Sequence, residues 1–230
     1  MRNRNQHLHT QKLEFSNGSL EALKWLALLL MTADHINHFL LHFQFPLMYA
    51  TGRLAMPIFG FVLAFNLTRA NALQSGIIIR TMKRLLLFGL LATPFYGLLY
   101  RWVPVNIMFM LFLVTYLIYI LESNQKYKWF IFIFVFLIIG IFVEYLWFGI
   151  AYCLAAWWFC KSPGLLRMLV WIASTALLAV VNMNYWACAA IPLILLASRI
   201  RFNFPRLRYV FYAYYPIHLA LLLYIHRNFL

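Results

Sequence analysis

The chain has 230 residues, of which 65% are hydrophobic and 10% charged, with a formal net charge of +14. Ordinary soluble domains run near ~45–50% apolar and ~25% charged, so this composition excludes a soluble globular domain, a disordered chain and a disulfide scaffold. What fits is a polytopic membrane protein: a crossing helix takes ~20 apolar residues, so about nine crossings use most of the chain and leave no room for an extramembrane domain.

Residues 1–19 read as a short polar arm. Nine apolar runs follow, over 20–43, 48–67, 84–100, 104–121, 129–147, 148–160, 165–181, 185–198 and 209–226. They predict an all-α membrane bundle of about nine transmembrane helices, forming a single domain over 20–230. The sixth and eighth runs are short, as in tilted helices or helices shielded by their neighbours. The first run carries Asp34 and three histidines, unlike a cleaved signal peptide. Cys153, Cys160 and Cys188 fall inside apolar runs without a C-x-x-C pair, and read as small buried hydrophobes. Pro57, Pro94, Pro192 and Pro216 mark kinks, which membrane helices tolerate.

The connections carry the positive charge. Arg2, Arg4, Lys12, Arg69, Arg80, Lys83, Arg84, Lys126, Lys128, Lys161, Arg167, Arg199, Arg201, Arg206 and Arg208 fall on one side of a nine-helix topology. Arg53, Arg101 and Arg227 fall on the other. Lys and Arg favour the cytoplasmic side, so this distribution predicts a cytoplasmic N-terminus and an outward C-terminus. The basic residues alternate with apolar runs, so topology explains the charge and nucleic acid is not expected.

Ionisable groups inside membrane helices cost at least ~2.5–3.5 kcal/mol on insertion scales, so each needs a task. In the first run His35, His38 and His42 share one helical face. Asp34 lies about 100° round from His35, so the two cannot form a simple dyad on one helix. Lys24 lies about three turns down the same face, roughly 16 Å nearer the cytoplasm. His35 and Glu144 each fall about fifteen residues along an upward helix, in the outer half of the membrane. With Asp34, His38, Arg53 and Asn106 they could line one cavity open to the outside. Blander roles compete. His38 and His42 suit helix–helix hydrogen bonds, Glu144 suits a counter-charge to Arg53, and Arg53 suits a snorkelling interface residue. Arg80, Lys83 and Arg84 suit either a positive-inside anchor or a phosphate-binding group. With no cysteine near the histidines and no H-E-x-x-H, no metal site is expected. These residues fit a membrane-embedded transferase, a proton-coupled transporter using Asp34, His35 and Glu144 as a relay, or a non-catalytic assembly subunit of a secretion or pilus apparatus.

Several strings are family-specific. Lys24 through Asp34-His35, then Gly52-Arg53-Leu54-Ala55-Met56-Pro57-Ile58-Phe59, resemble the TraX family of conjugal-transfer pilin acetylases. So do Asn106-Ile107-Met108-Phe109, Glu144-Tyr145 and Tyr214-Tyr215-Pro216-Ile217-His218-Leu219, in order from about 20 to 222. Two departures stand out: Met56 where the family favours Phe, and Glu144-Tyr145-Leu146 where it favours Asp-Tyr-Gly. Lys24 and His35 also have the basic-x10-His spacing of the broader transmembrane acyltransferases. The resemblance implies transfer of acetyl from acetyl-CoA to the N-terminal amine of a processed pilin at the bacterial inner membrane. It implies His35 as base, Glu144 or Asp34 as the group holding the imidazole, and Asn106 as oxyanion donor. It implies Arg53, His38, Tyr145, Tyr215 and His218 at the acceptor, and Lys24, Arg69, Arg80, Lys83 and Arg84 at the CoA phosphates.

Overall fold

A computed structural model describes residues 14–207 and 209–229; of the basic residues above, Arg2, Arg4, Lys12 and Arg208 lie outside them, as does most of the 1–19 arm. Every apolar run is helical, and the described residues contain no strand. α1 spans Asn17–Phe39, capped by Ser16, whose hydroxyl accepts the Ser19 amide at 3.0 Å. α2 (Pro46–Gly52) and α3 (Ala55–Leu67) are one run broken at Arg53–Leu54. α4 is Ile77–Leu99, α5 Ile107–Glu122 and α6 Lys128–Phe134, the last continued by a π turn and a 3-10 turn to Phe142. α7 (Leu146–Lys161), α8 (Leu165–Leu177), α9 (Ala179–Asn182), α10 (Ala190–Arg199) and α11 (Val210–Phe229) complete the chain.

Three spans, Pro46–Leu67, Ile77–Leu99 and Leu165–Asn182, are both long and apolar enough to cross a bilayer. α1 and α11, with 23 and 20 residues, have the length as well; α1 spends its composition on the polar groups described below. The surface shows the same environment. Leu87, Leu90 and Leu91 of α4, Trp129, Phe130 and Phe134 of α6, and Leu165, Leu166 and Leu169 of α8 face outward. Asn37, Asn106, Thr115 and Thr175 are fully buried. Apolar groups outside and hydrogen-bonded polar groups inside is the arrangement that lipid, not water, favours. The protein is a membrane protein.

The interior has two parts. The larger joins α1, α3, α5, α7 and α8 around Ile58, Phe61, Val114, Leu117, Ile118, Ile150 and Trp171. The smaller joins α4, α5 and α11 through Leu85, Ala92, Met108, Tyr215 and Leu219. α11 runs alongside α1 in the same direction: Lys24 meets Phe211, Thr32 meets Tyr214, His35 meets His218 and Phe39 meets His226.

Four helix boundaries differ from the sequence reading. α1 stops at Phe39, and His42 sits in a turn at φ +47°, so it does not continue the His35/His38 face. α4 begins at Ile77 rather than 84, which takes Arg80, Lys83 and Arg84 out of a connection and into its first turns. The fifth run ends as a helix at Phe142, so Glu144 and Tyr145 lie in an irregular link. That link is held by main-chain bonds, Val105 N to Phe142 O at 2.7 Å and Glu144 N to Val105 O at 2.9 Å. Finally, the second run breaks at Arg53–Leu54.

Candidate functional site

A cavity of about 790 Å³ lies between the two packed parts. Lys24, Arg69, Arg80, Arg84 and Arg206 line one end, and Asp34, His35, His38, Arg53, Glu144 and Tyr145 the other. Between them the wall is mostly apolar, with Leu28, Met31, Phe59, Leu63, Leu85 and Leu111. Along α1 alone, the eleven residues from Lys24 to His35 separate the two ends by roughly 16 Å.

The basic end is assembled from the first half of α1, the link after α3, the start of α4 and the irregular segment before α11. Lys24 Nζ bonds Glu21 Oε1 at 2.6 Å and lies 4.3 Å from the Phe211 ring centroid. Arg69 donates to Asn17 Oδ1 at 2.9 Å; burial, and after it the neighbouring Arg206, pull its pKa below the usual guanidinium range. Arg84 lies over the Tyr209 ring at 4.9 Å. Arg206 was legible in the sequence only as topological charge. The segment carrying it is pinned across the start of α1, where Ser19 Oγ donates to Ile200 O at 2.5 Å. Gly18 permits this, since a Cβ there would overlap the Phe202 carbonyl. Lys83, expected here, does not line the cavity: at about 100° per residue it points well away from the middle of the lining face that Ile77, Arg80, Thr81, Arg84 and Leu85 form on α4.

At the far end Asp34 and Arg53 form a buried ion pair through Oδ2 and Nη2. Arg53 Nε also reaches Tyr49 O at 3.3 Å, and the guanidinium covers the Tyr49 ring at 4.5 Å. The pair exists because α2 crosses α1 at Gly52, where any Cβ would overlap Asp34 Cβ. This glycine brings the helices close enough for the next residue to reach the carboxylate. Asp34 Oδ1 and Glu144 Oε2 are buried oxygens with no hydrogen-bond partner among the described residues.

His35 Nδ1 lies 2.7 Å from His218 Nε2, and His218 Nδ1 lies 3.1 Å from Tyr214 O. The expectation that Asp34 or Glu144 holds His35 is therefore corrected: Asp34 is taken by Arg53, and the ring's hydrogen-bond partner is His218. His218 itself is buried behind His35 and does not line the cavity, so it does not stand at an acceptor position. Asn106 is corrected likewise. It is fully buried as the N-cap of α5, accepting from Met108 N at 3.1 Å. Its amide donates to Gly89 O at 3.0 Å and Thr93 Oγ1 at 3.3 Å. Both donors are spent on α4, and the side chain does not line the cavity. Arg53, His38, Tyr145 and Tyr215 do line it. His38 is packed by Phe39, Phe43 and Tyr100.

Tyr145 and Leu146 sit at φ +62° and +51°, a left-handed region costly for residues with side chains. A glycine at 146 would adopt that geometry without strain. Among the described residues no three His, Cys, Asp or Glu side chains converge as a metal would require.

Helices with apolar outer faces, enclosing a cavity with a cationic end and a histidine–acid end, define a membrane-embedded bundle with an internal polar site. The chain matches the TraX protein family over residues 19–226 and belongs to that family, which is associated with pilin processing in conjugation. No curated protein and no solved structure matches it.

Proposed function

We propose that the protein is a multi-pass acetyltransferase of the bacterial inner membrane. In this reading it moves acetyl from cytosolic acetyl-CoA to the N-terminal amine of a processed pilin, or a related acceptor, at the outer side. The observation that carries the reading is the single cavity joining the cationic end to His35. A cytosolic thioester of a phosphate-bearing carrier needs cations at its phosphates and a slender apolar channel for its arm, and the cavity supplies them in that order. The parallel course of α1 and α11 fits an odd number of crossings, nine in this reading, and the basic connections assign the start of α1 to the cytoplasmic face. Helices that begin on the same face and span the membrane leave the start of α1 and the end of α11 on opposite sides.

Lys24, Arg69, Arg80, Arg84 and Arg206 hold the phosphates. The acceptor amine attacks only when neutral. As its nitrogen bonds to the thioester carbonyl carbon, His35 takes the amine proton. Arg53, with Nη2 on Asp34 and Nε on Tyr49 O, has Nη1 to offer the oxyanion, and Tyr145 a hydroxyl. The C–S bond then breaks and His35 returns the proton to the departing thiolate, so amine and acetyl-CoA become amide and CoA with nothing left over.

The test is transfer from labelled acetyl-CoA in vesicles containing wild type or His35→Ala, each with processed pilin. Label on the pilin N-terminus with wild type, and a loss of more than about 10³-fold in the folded variant, is the expected result. A folded, fully active His35→Ala overturns the role of His35. No CoA release with pilin or with a panel of other amines and hydroxyls overturns the transferase reading.

A further inference from the structure

We infer that His218 is a positioning residue that fixes the tautomer of His35, making Nε2 the nitrogen that takes and returns the proton. The inference deepens the transferase reading and rests on it for the kinetic half of its test.

The tautomer follows from what each atom can do. Tyr214 O is a main-chain carbonyl and only accepts. The His218 Nδ1 that lies 3.1 Å from it therefore carries the hydrogen. A neutral imidazole has one N–H, so His218 Nε2 presents a lone pair. Across the 2.7 Å contact the donor is then His35 Nδ1–H. A neutral His35 protonated at Nδ1 is bare at Nε2, the nitrogen left without a protein partner on a ring that lines the cavity.

The geometry of the pair suits this task. The two rings are within 11° of parallel, with centroids 5.0 Å apart. The N···N contact plus one ring radius on each side accounts for that separation. The rings therefore meet edge to edge, with the N–H aimed at the lone pair, the alignment in which a hydrogen bond is strongest. Thr32 Oγ1 and Tyr214 OH, 2.8 Å apart, tie α1 to α11 one turn away and hold the register. His218 is 5% exposed, so water does not compete for its Nε2.

The chain of bonds also ends at Tyr214. A carbonyl oxygen cannot carry a proton onward, so a proton gained at His35 Nε2 has no exit through α11. It must leave from Nε2 itself, which makes one nitrogen the base toward the amine and the acid toward the thiolate. While His35 is charged, its Nδ1–H bond to His218 becomes charge-assisted. A neutral imidazole thus does for His35 what a carboxylate does in a serine-protease triad.

Two measurements on the full chain in nanodiscs test this. In the first, nitrogen NMR of histidine-labelled protein, with His35 assigned by a His35→Asn control, should show Nδ1 protonated and Nε2 bare. His218→Ala should shift His35 toward a mixture of tautomers. In the second, His218→Ala should lower kcat by roughly 10²–10³-fold with KM for acetyl-CoA within about twofold. His218→Gln, whose side-chain oxygen reaches the Nε2 position and accepts, should recover kcat to within about tenfold of wild type. A wild-type spectrum with His35 protonated at Nε2 overturns the inference. So does a folded His218→Ala with kcat within about threefold of wild type, or a folded His218→Gln no better than His218→Ala. If wild type transfers acetyl to no acceptor, the transferase reading fails while the spectrum still decides the tautomer.

Discussion

At the cationic end of the cavity five basic side chains converge from four parts of the chain, and one carboxylate, Glu21, pairs with one of them, Lys24. At the far end two specific pairings stand out, Arg53 with Asp34 and His218 with His35. The first arrangement leaves positive charge in excess for an anion and shares the work among interchangeable groups. The second is interlocked, and each of its members depends on a particular helix crossing. Substitutions should therefore act gradually at one end and abruptly at the other.

The sharpest break is expected at the ion pair. Asp34→Asn or Arg53→Met alone leaves one buried group uncompensated and should cost about 3 kcal/mol of stability. The double variant should recover part of that loss. Thermal unfolding in detergent of the two singles and the double reads this directly; additive losses would show that the groups do not act as a pair.

At the cationic end the effects should be smaller and cumulative. Arg69→Ala, Arg84→Ala and Arg206→Ala should each raise KM for acetyl-CoA about tenfold at low salt with kcat little changed. The effect should fall as ionic strength rises. Lys83→Ala should change nothing, because Lys83 does not line the cavity. An equal response to Lys83→Ala and Arg206→Ala would make this end a general basic surface instead of a site.

The smallest effect belongs to the start of α7, just after the irregular link. Leu146→Gly relieves a φ of +51° but frees the unfolded chain as well, so stability should rise by less than about 1 kcal/mol. A clear loss in thermal unfolding would mean that the Leu146 side chain contributes packing that outweighs the strain.

Composition and run lengths alone determined that the chain is a helical membrane protein, because 65% apolar residues can be hidden only in lipid. His35, Asp34, Arg53, His38 and Glu144 were legible as the lining of one cavity for a related reason: a polar group that costs energy to bury is conspicuous in an apolar run. Their partnerships were not legible. Spacing along α1 shows that Asp34 and His35 point apart, but not that Gly52 lets α2 deliver Arg53 to one while α11 delivers His218 to the other. Asn106 and Glu144 illustrate the same gap. The sequence marks both as polar in apolar surroundings. Only the packing commits the Asn106 amide to α4 and takes Glu144 out of any helix. Arg206 reads as one topological charge among many until the segment before α11 is pinned over the start of α1. Hydrophobicity and helical period are properties of neighbouring residues, so one chain in one dimension carries them. Which hydrogen-bonding groups meet is set by contacts up to 187 positions apart, and only the tertiary structure decides those.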